Sequence, residues 1–169
     1  MNSPAWTDLA GSAYRGLIDA QLQREDGRKA SFEARGMQII TSSGAVVTLL
    51  FGLAALATSS KSFKLTGSSE VAFAIALGLL FVAAVCGIAT NVPLEYMEAS
   101  TDKLSRVLED RFWLGRVEVA QRRAAELEVA QLVVGRAANN LKGNVLIAGL
   151  VFEVLGVLAV AVGVMVILI

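Results

Sequence analysis

Three long runs of apolar residues divide this chain, and polar stretches lie before the first run and between the second and the third. The apolar runs cover residues 37–57, 71–92 and 143–169. About 20 apolar residues in a helix are enough to cross the hydrocarbon core of a bilayer, and each run has that length. The pattern therefore predicts an all-α membrane protein with three transmembrane helices and additional cytoplasmic helices.

These runs divide the chain into four segments. Residues 1–36 are predicted to form a cytoplasmic amphipathic N-terminal helix, because Trp6, Leu9, Ala13 and Leu17 recur at helical spacing. Residues 37–92 form a two-span transmembrane hairpin joined by a short turn, and residues 143–169 form the third transmembrane helix. Residues 93–142 are a cytoplasmic helical segment, for which we favour a bent or broken helix with the break near residues 112–115.

The distribution of basic residues predicts the orientation of the spans. Residues 1–36 hold five lysines and arginines and residues 93–142 hold eight, whereas the link at 58–70 holds two. An excess of basic residues marks the cytoplasmic side of a membrane. With three spans both basic segments lie on the same side, which predicts a cytoplasmic N-terminus and an external C-terminus.

Composition removes several classes of function. The 15 basic and 15 acidic residues balance, so the net charge does not favour nucleic-acid binding. The chain has no histidine, and Cys86 is its single cysteine, which argues against a disulfide, a metal site and the commonest general base. No nucleophile, paired-acid or cofactor motif is present. We therefore predict that the protein is not an enzyme and needs neither a cofactor nor a metal.

One carboxylate, Glu153, interrupts the third apolar run. An ionisable group at membrane depth is costly, and it is usually functional or paired. Glu153 lies on one helical face with glycines on both sides, at Gly149, Gly156 and Gly163. Small residues allow helices to approach closely in lipid, so this face predicts that Glu153 contacts protein or water.

Three interpretations of Glu153 are open. It bonds to hydroxyls of the first span and only fixes helix packing, in a setting that favours a protonated acid; the candidates are Thr41, Ser42, Ser43 and Thr48. Alternatively, copies of Glu153 from several chains line a cation pathway, or the acid carries protons or ions in a transport cycle. On the first span, Gly44, Thr48 and Gly52 also share a face and predict close helix approach.

Two polar clusters flank the spans. The first precedes the first span and is predicted to anchor the chain to anionic headgroups, or else to cradle an anionic ligand such as a nucleotide; it consists of Arg24, Arg28, Lys29 and Arg35. The second lies at the inner mouth of the third span and is predicted to be an interfacial collar, or else a constriction; it consists of Arg136, Asn139, Asn140 and Asn144.

Two stretches carry a resemblance to known proteins. Residues 24–57, which begin Arg-Glu-Asp-Gly-Arg-Lys-Ala-Ser-Phe-Glu-Ala-Arg-Gly-Met, and the stretch Arg136-Ala-Ala-Asn-Asn-Leu-Lys-Gly before the third span are similar to a family of uncharacterised bacterial membrane proteins. The layout more distantly resembles the SLATT and Pycsar-type membrane effectors of nucleotide-signalled defence. The resemblance implies a bacterial inner-membrane protein that oligomerises and permeabilises the membrane when triggered. This chain differs from the signalled versions in having no obvious nucleotide-sensing module.

Together these features predict a homo-oligomer in the lipid bilayer that forms a pore or channel-like assembly, with Glu153 and the small-residue faces lining or assembling it. The alternative is a membrane scaffold whose cytoplasmic helices bind a protein partner.

Overall fold

The computed structural model describes residues 6–59, 67–93 and 116–168, and these residues form three helices. Helix α1 covers Trp6–Ser59, α2 covers Gly67–Asn91 and α3 covers Val117–Leu168. All three helices are long and apolar enough to cross a membrane. No strand occurs in these ranges, so the predicted all-α fold with three membrane-spanning helices is confirmed. The predicted break at residues 112–115 and most of the turn at 58–70 lie outside the described residues.

Helices α1 and α3 each run through a predicted segment boundary without a break. The predicted N-terminal helix and first span are parts of α1, and the end of the predicted cytoplasmic segment continues into the third span as α3. None of the three helices contains a proline within these bounds. Because no proline interrupts the backbone hydrogen bonds, a change from polar to apolar side chains does not end a helix.

Contacts within the chain divide it into two units, of which the second holds the apolar runs. Unit 2 comprises Ala30–Pro93 and Leu141–Ile169. A Cβ added at Gly143 would lie 3.3 Å from the ring of Phe32, and Ser42 lies against Glu153. Residue numbers therefore rise together along the two helices, which means that α1 and α3 run parallel in this unit.

Helix α2 runs antiparallel to both of its neighbours in unit 2. An added Cβ at Gly149 would lie 3.0 Å from Cβ of Cys86, and one at Gly156 would lie 2.9 Å from Cγ of Leu80. A Cβ at Gly163 would lie 2.9 Å from the ring of Phe73. The numbers rise on α3 while they fall on α2. The glycine face predicted on the third span therefore packs against α2.

The closest contact between α1 and α2 involves two glycines. A Cβ added at Gly87 would lie 2.7 Å from the carbonyl oxygen of Gly36. The small-residue face predicted on the first span behaves differently, because Gly44 and Gly52 have no atom within 4 Å of an added Cβ. That face is exposed. Within the chain, α1 approaches α2 on the opposite side, where Gly36, Ile39 and Ser43 are buried.

A small apolar core and a large apolar surface characterise unit 2. Ile39, Ala83 and Leu146 form the buried cluster, and Phe32 and Phe152 pack against it. Large apolar side chains cover the outside of all three helices, among them Phe51, Phe81 and Met165, each more than 60% exposed. An apolar exterior of this extent is typical of helices that face lipid.

Candidate functional site

The acid of the third span meets a hydroxyl of the first. Glu153 on α3 and Ser42 on α1 are hydrogen-bonded through Oε1 and Oγ. Glu153 is half-buried and Ser42 is exposed, so the pair lies at the edge of unit 2. The carboxyl of Glu153 therefore contacts protein on one side, at Ser42.

The hydroxyl of Ser42 has more acceptors than protons. Its Oγ lies 2.8 Å from the carbonyl oxygen of Gln38 and 3.2 Å from that of Ile39, in addition to the carboxyl of Glu153. A hydroxyl donates one hydrogen bond at a time. The carboxyl of Glu153 and the two backbone carbonyls therefore compete for the single proton of Ser42.

The other three hydroxyls proposed as partners of Glu153 are placed elsewhere. Thr41 donates to the carbonyl of Met37 at 3.0 Å, and Thr48 donates to that of Gly44 at 2.8 Å. Both side chains are exposed. Oγ of Ser43 is buried and has no hydrogen-bond partner. Of the four candidates, Ser42 is the one that the fold brings to Glu153.

The ion pair between Lys142 and Glu33 gives an estimate of how far Glu153 lies inside the hydrocarbon core. Nζ of Lys142 donates to Oε1 of Glu33 at 2.7 Å, and the Lys142 side chain is 1% exposed. Glu153 lies eleven residues beyond Lys142 on α3, a rise of about 16 Å. If this ion pair marks one edge of the hydrocarbon core, which is about 30 Å thick, Glu153 lies near its middle.

A second polar cluster centres on Glu25 in unit 1, which comprises Met1–Lys29 and Leu94–Asn140. The Glu25 carboxylate, almost buried, accepts hydrogen bonds from Arg28 at 3.1 Å, Asn139 at 3.0 Å and Arg136 at 3.4 Å. Asn139 also donates to the backbone carbonyl of Glu25 at 2.9 Å, and Arg136 donates to Gln21 at 2.9 Å. These contacts join α1 to α3, which run parallel in unit 1.

The predicted basic face and collar are thus partly used inside the chain. Arg28 and Arg136 bind Glu25, and Asn140 accepts a hydrogen bond from Arg28 at 3.3 Å. Asn139 is buried, with its Oδ1 unpartnered. The remaining members of the two predicted clusters are solvent-accessible to different degrees: Arg24, Arg35 and Asn144 are exposed, and Lys29 is half-buried.

Sequence reasoning missed Glu25 and Glu33 as organising residues. The sequence analysis assigns no role to either acid. Each sits in a polar stretch of helix, where acids ordinarily face water. The partners of Glu25 and Glu33 are more than 100 residues away on α3. No local spacing rule relates such distant residues, so the sequence offered no signal for either contact.

The Glu25 cluster predicts a dependence of unit 1 stability on pH. Burial raises the pKa of the Glu25 carboxyl, but hydrogen bonds from Asn139 and Arg28, the charge of Arg28 and a hydrogen bond from Arg136 outweigh it and hold the pKa below its ordinary value of 4.5. The folded state binds the Glu25 proton less tightly than the unfolded state does. The contribution of the Glu25 carboxylate to the stability of unit 1 is therefore complete above pH 4.5 and is lost as the pH falls through the lowered pKa.

We therefore expect hydrogen-exchange protection factors in residues 13–29 and 117–140 to be steady above pH 5 and to fall below about pH 4. The Glu25→Gln variant should lose this dependence, while Glu126→Gln, which changes an exposed acid, should retain it. Equal pH dependence in Glu25→Gln and the unchanged protein would contradict the assignment to Glu25.

Within the described ranges, no group of three or more acidic, cysteine or histidine side chains is placed to hold a metal ion. No family model, curated protein or solved structure matches the chain.

Proposed function

We propose that this protein is a homo-oligomeric membrane protein whose copies enclose a cation-selective path lined by Glu153 and Ser42. The observation that supports this proposal most strongly is the half-buried acid, bonded to an exposed serine, at the edge of three apolar helices. An isolated carboxyl and hydroxyl facing lipid are costly. A second chain or a water-filled path removes that cost.

The tight packing of unit 2 favours a path beside the three helices. Gly149, Gly156 and Gly163 leave no room for an additional methyl group between α3 and α2 without a shift. A polar path past Glu153 therefore needs further chains to close it. The outer face of α1 is suited to another helix, because Gly44 and Gly52 are exposed and open to close approach.

The chemistry of the spans favours cations. The three apolar runs contain one acid, Glu153, together with hydroxyl groups, and they contain no lysine or arginine. Rings of acidic side chains select cations in channels. Several copies of Glu153 around one axis would form such a ring, and Ser42 would extend it with hydroxyl oxygens.

The proposal includes the orientation of the helices and the membrane in which the protein resides. Because α1 and α3 run parallel in unit 2, Ala30 and Leu141 enter this unit at the same end. That geometry agrees with one cytoplasmic side for the two basic segments. We propose the bacterial inner membrane as the location, with the N-terminus inside and the C-terminus outside. We also propose that the oligomer permeabilises this membrane in defence when it is triggered.

The test is ion flux in liposomes that contain purified protein. A cation 4 Å from a carboxylate gains about 1 kcal/mol in bulk water and about 4 kcal/mol at an effective dielectric constant of 20. Glu153→Gln is therefore expected to lower the cation-to-anion permeability ratio by about fivefold or more. Glu118→Gln, which removes an exposed acid of unit 1, should leave the ratio unchanged.

Unchanged conductance and selectivity in Glu153→Gln would remove Glu153 from the path. Flux that saturates with one defined substrate would favour a transporter instead. If the unchanged protein carries no flux in any condition, the pore proposal fails.

A scaffold is the second candidate. Unit 1 exposes large apolar side chains, including Tyr14 at 70% and Val133 at 63%. A protein partner would remove this apolar surface from water. Recovery of one stable partner through residues of unit 1, together with the absence of flux, would support the scaffold over the pore.

A further inference from the structure

Among the described residues of unit 2, the most deeply buried charged side chain is that of Lys142. The residue is 2% exposed and is the largest fully buried side chain in the described part of the chain. Its Nζ donates to Glu33 at 2.7 Å, and the Glu33 side chain is about one-third exposed. A charge in this position needs its partner, because removing an ammonium group from water is strongly unfavourable.

Such a pair is a weak source of net stability. The cost of desolvation offsets the attraction between the charges, and apolar residues of similar size often stabilise a fold equally well. The best-attested role of a buried polar contact is to specify the register of two helices. That role matters where the other contacts between the helices allow more than one register.

The glycine face of α3 permits such alternatives. Gly149, Gly156 and Gly163 recur every seven residues, and all three pack against α2. Sliding α3 by seven residues places glycine where glycine was, so the close contacts with α2 can form again. The same slide moves Glu153 away from Ser42 and places Leu146 or Val160 there, depending on the direction of the slide. The apolar contacts alone therefore do not determine which residue faces Ser42.

The Lys142–Glu33 ion pair distinguishes between these alternative registers. Lys142 and Glu33 are 109 residues apart, and Glu153 and Ser42 are 111 apart, so both contacts belong to one register of the parallel helices α1 and α3. A slide of seven residues, about 10 Å along the axis, leaves the Lys142 ammonium group without Glu33. No other basic residue follows on α3 to take its place.

We propose that the Lys142–Glu33 pair sets the register of α3 against α1 and thereby positions the Glu153 carboxyl at the Ser42 hydroxyl. Lys142 and Glu33 are thus positioning residues for the path proposed above, and the inference of their role in that path rests on the proposed function. The register itself is a property of the fold and is tested without any flux measurement.

The test is disulfide cross-linking of the full chain in native membranes, in a Cys86→Ala background that removes the natural cysteine. One reporter carries Ser42→Cys with Glu153→Cys, and the other carries Ser42→Cys with Val160→Cys, which reports the seven-residue slide. A copper–phenanthroline oxidant forms the disulfide, and the remaining free thiols are then tagged with a maleimide polymer. Untagged protein at monomer size on a denaturing gel is counted, which excludes uncross-linked protein and cross-links between copies. Each reporter is compared with and without Lys142→Met, an apolar change of similar length.

Lys142→Met is expected to lower the rate of the 42–153 cross-link by about tenfold, which corresponds to about 1.4 kcal/mol, and to raise the 42–160 rate. The exchanged pair Glu33→Lys with Lys142→Glu is expected to restore the 42–153 rate at least partly. Unchanged rates for both reporters in Lys142→Met would overturn the proposal.

The outcomes separate the two proposals. If Lys142→Met changes the cross-linking and Glu153→Gln leaves the ion flux unchanged, the register proposal stands and the ion path is rejected. The reverse result, altered selectivity in Glu153→Gln with unchanged cross-linking in Lys142→Met, keeps the path and rejects the register role. If the exchanged pair does not fold, the comparison of the two reporters in Lys142→Met still decides.

Discussion

Replacing Gly87 by valine is expected to destabilise unit 2 more than any other single change of a glycine in α2. A Cβ at this position would lie 2.7 Å from the carbonyl oxygen of Gly36 and 2.9 Å from Cγ1 of Ile40. The first of these atoms belongs to the backbone of α1 and cannot rotate away. Overpacking a close contact typically costs about 1–3 kcal/mol, and the involvement of backbone atoms places this variant at the upper end.

The matched control is the same substitution at Gly78, one of the other glycines of α2. An added Cβ at Gly78 meets no atom within 4 Å, so Gly78→Val should change stability little. The free energy of unfolding is measured by titrating protein in mild detergent with a denaturing detergent. Similar losses for both variants would show that the contact between Gly36 and Gly87 does not hold α1 and α2 together.

The two halves of the buried ion pair are expected to respond unequally to removal. Glu33→Ala leaves the Lys142 ammonium group buried without a carboxylate, and breaking a buried pair in this way typically costs about 3–5 kcal/mol. Lys142→Met leaves Glu33, whose side chain is about one-third exposed and can be hydrated. An apolar side chain of similar length also fills the buried site, so this variant should lose less than about 1.5 kcal/mol.

The same detergent titration measures both variants, with Glu118→Ala as the control for loss of an exposed acid. The expected order of stability is Glu118→Ala, then Lys142→Met, then Glu33→Ala as the least stable. Equal losses at Glu33 and Lys142, or the reverse order, would contradict a desolvated ammonium group at this position.

The number of helices long enough to cross a membrane could be predicted from the sequence because it depends on local chemistry. A run of apolar residues long enough to cross a bilayer is visible without knowledge of any partner. The segment boundaries predicted at residues 36 and 142 do not coincide with helix ends. They mark a change of side-chain polarity, whereas the continuity of α1 and α3 depends on backbone hydrogen bonds that polarity does not interrupt.

The environment of Glu153 was predictable in kind but not in detail. Its position on a glycine face indicated a neighbour other than lipid, and Ser42 is such a neighbour. Which of four nearby hydroxyls would face the acid depends on the register of helices that are 111 residues apart in sequence. The glycine spacing repeats every seven residues, so the pattern by itself fits more than one register.

Close helix contacts were the hardest feature to predict. Gly44 and Gly52 have the spacing of a packing face, yet they are exposed in this chain. Gly36 and Gly87 form the tight contact, and the sequence analysis predicts no contact for either of them. Small side chains permit close approach on any face, and the choice of face is made by the surrounding residues of both helices.

The most direct test of the account is the mass of the protein extracted in mild detergent, measured by native mass spectrometry. Three helices that pack closely around Gly36 and Gly156 cannot enclose a path at Glu153 by themselves, so the account requires several copies. It predicts a defined species with the mass of two or more 17.8 kDa chains. A monomeric detergent extract that restores flux when it is returned to liposomes at one chain per vesicle would contradict it.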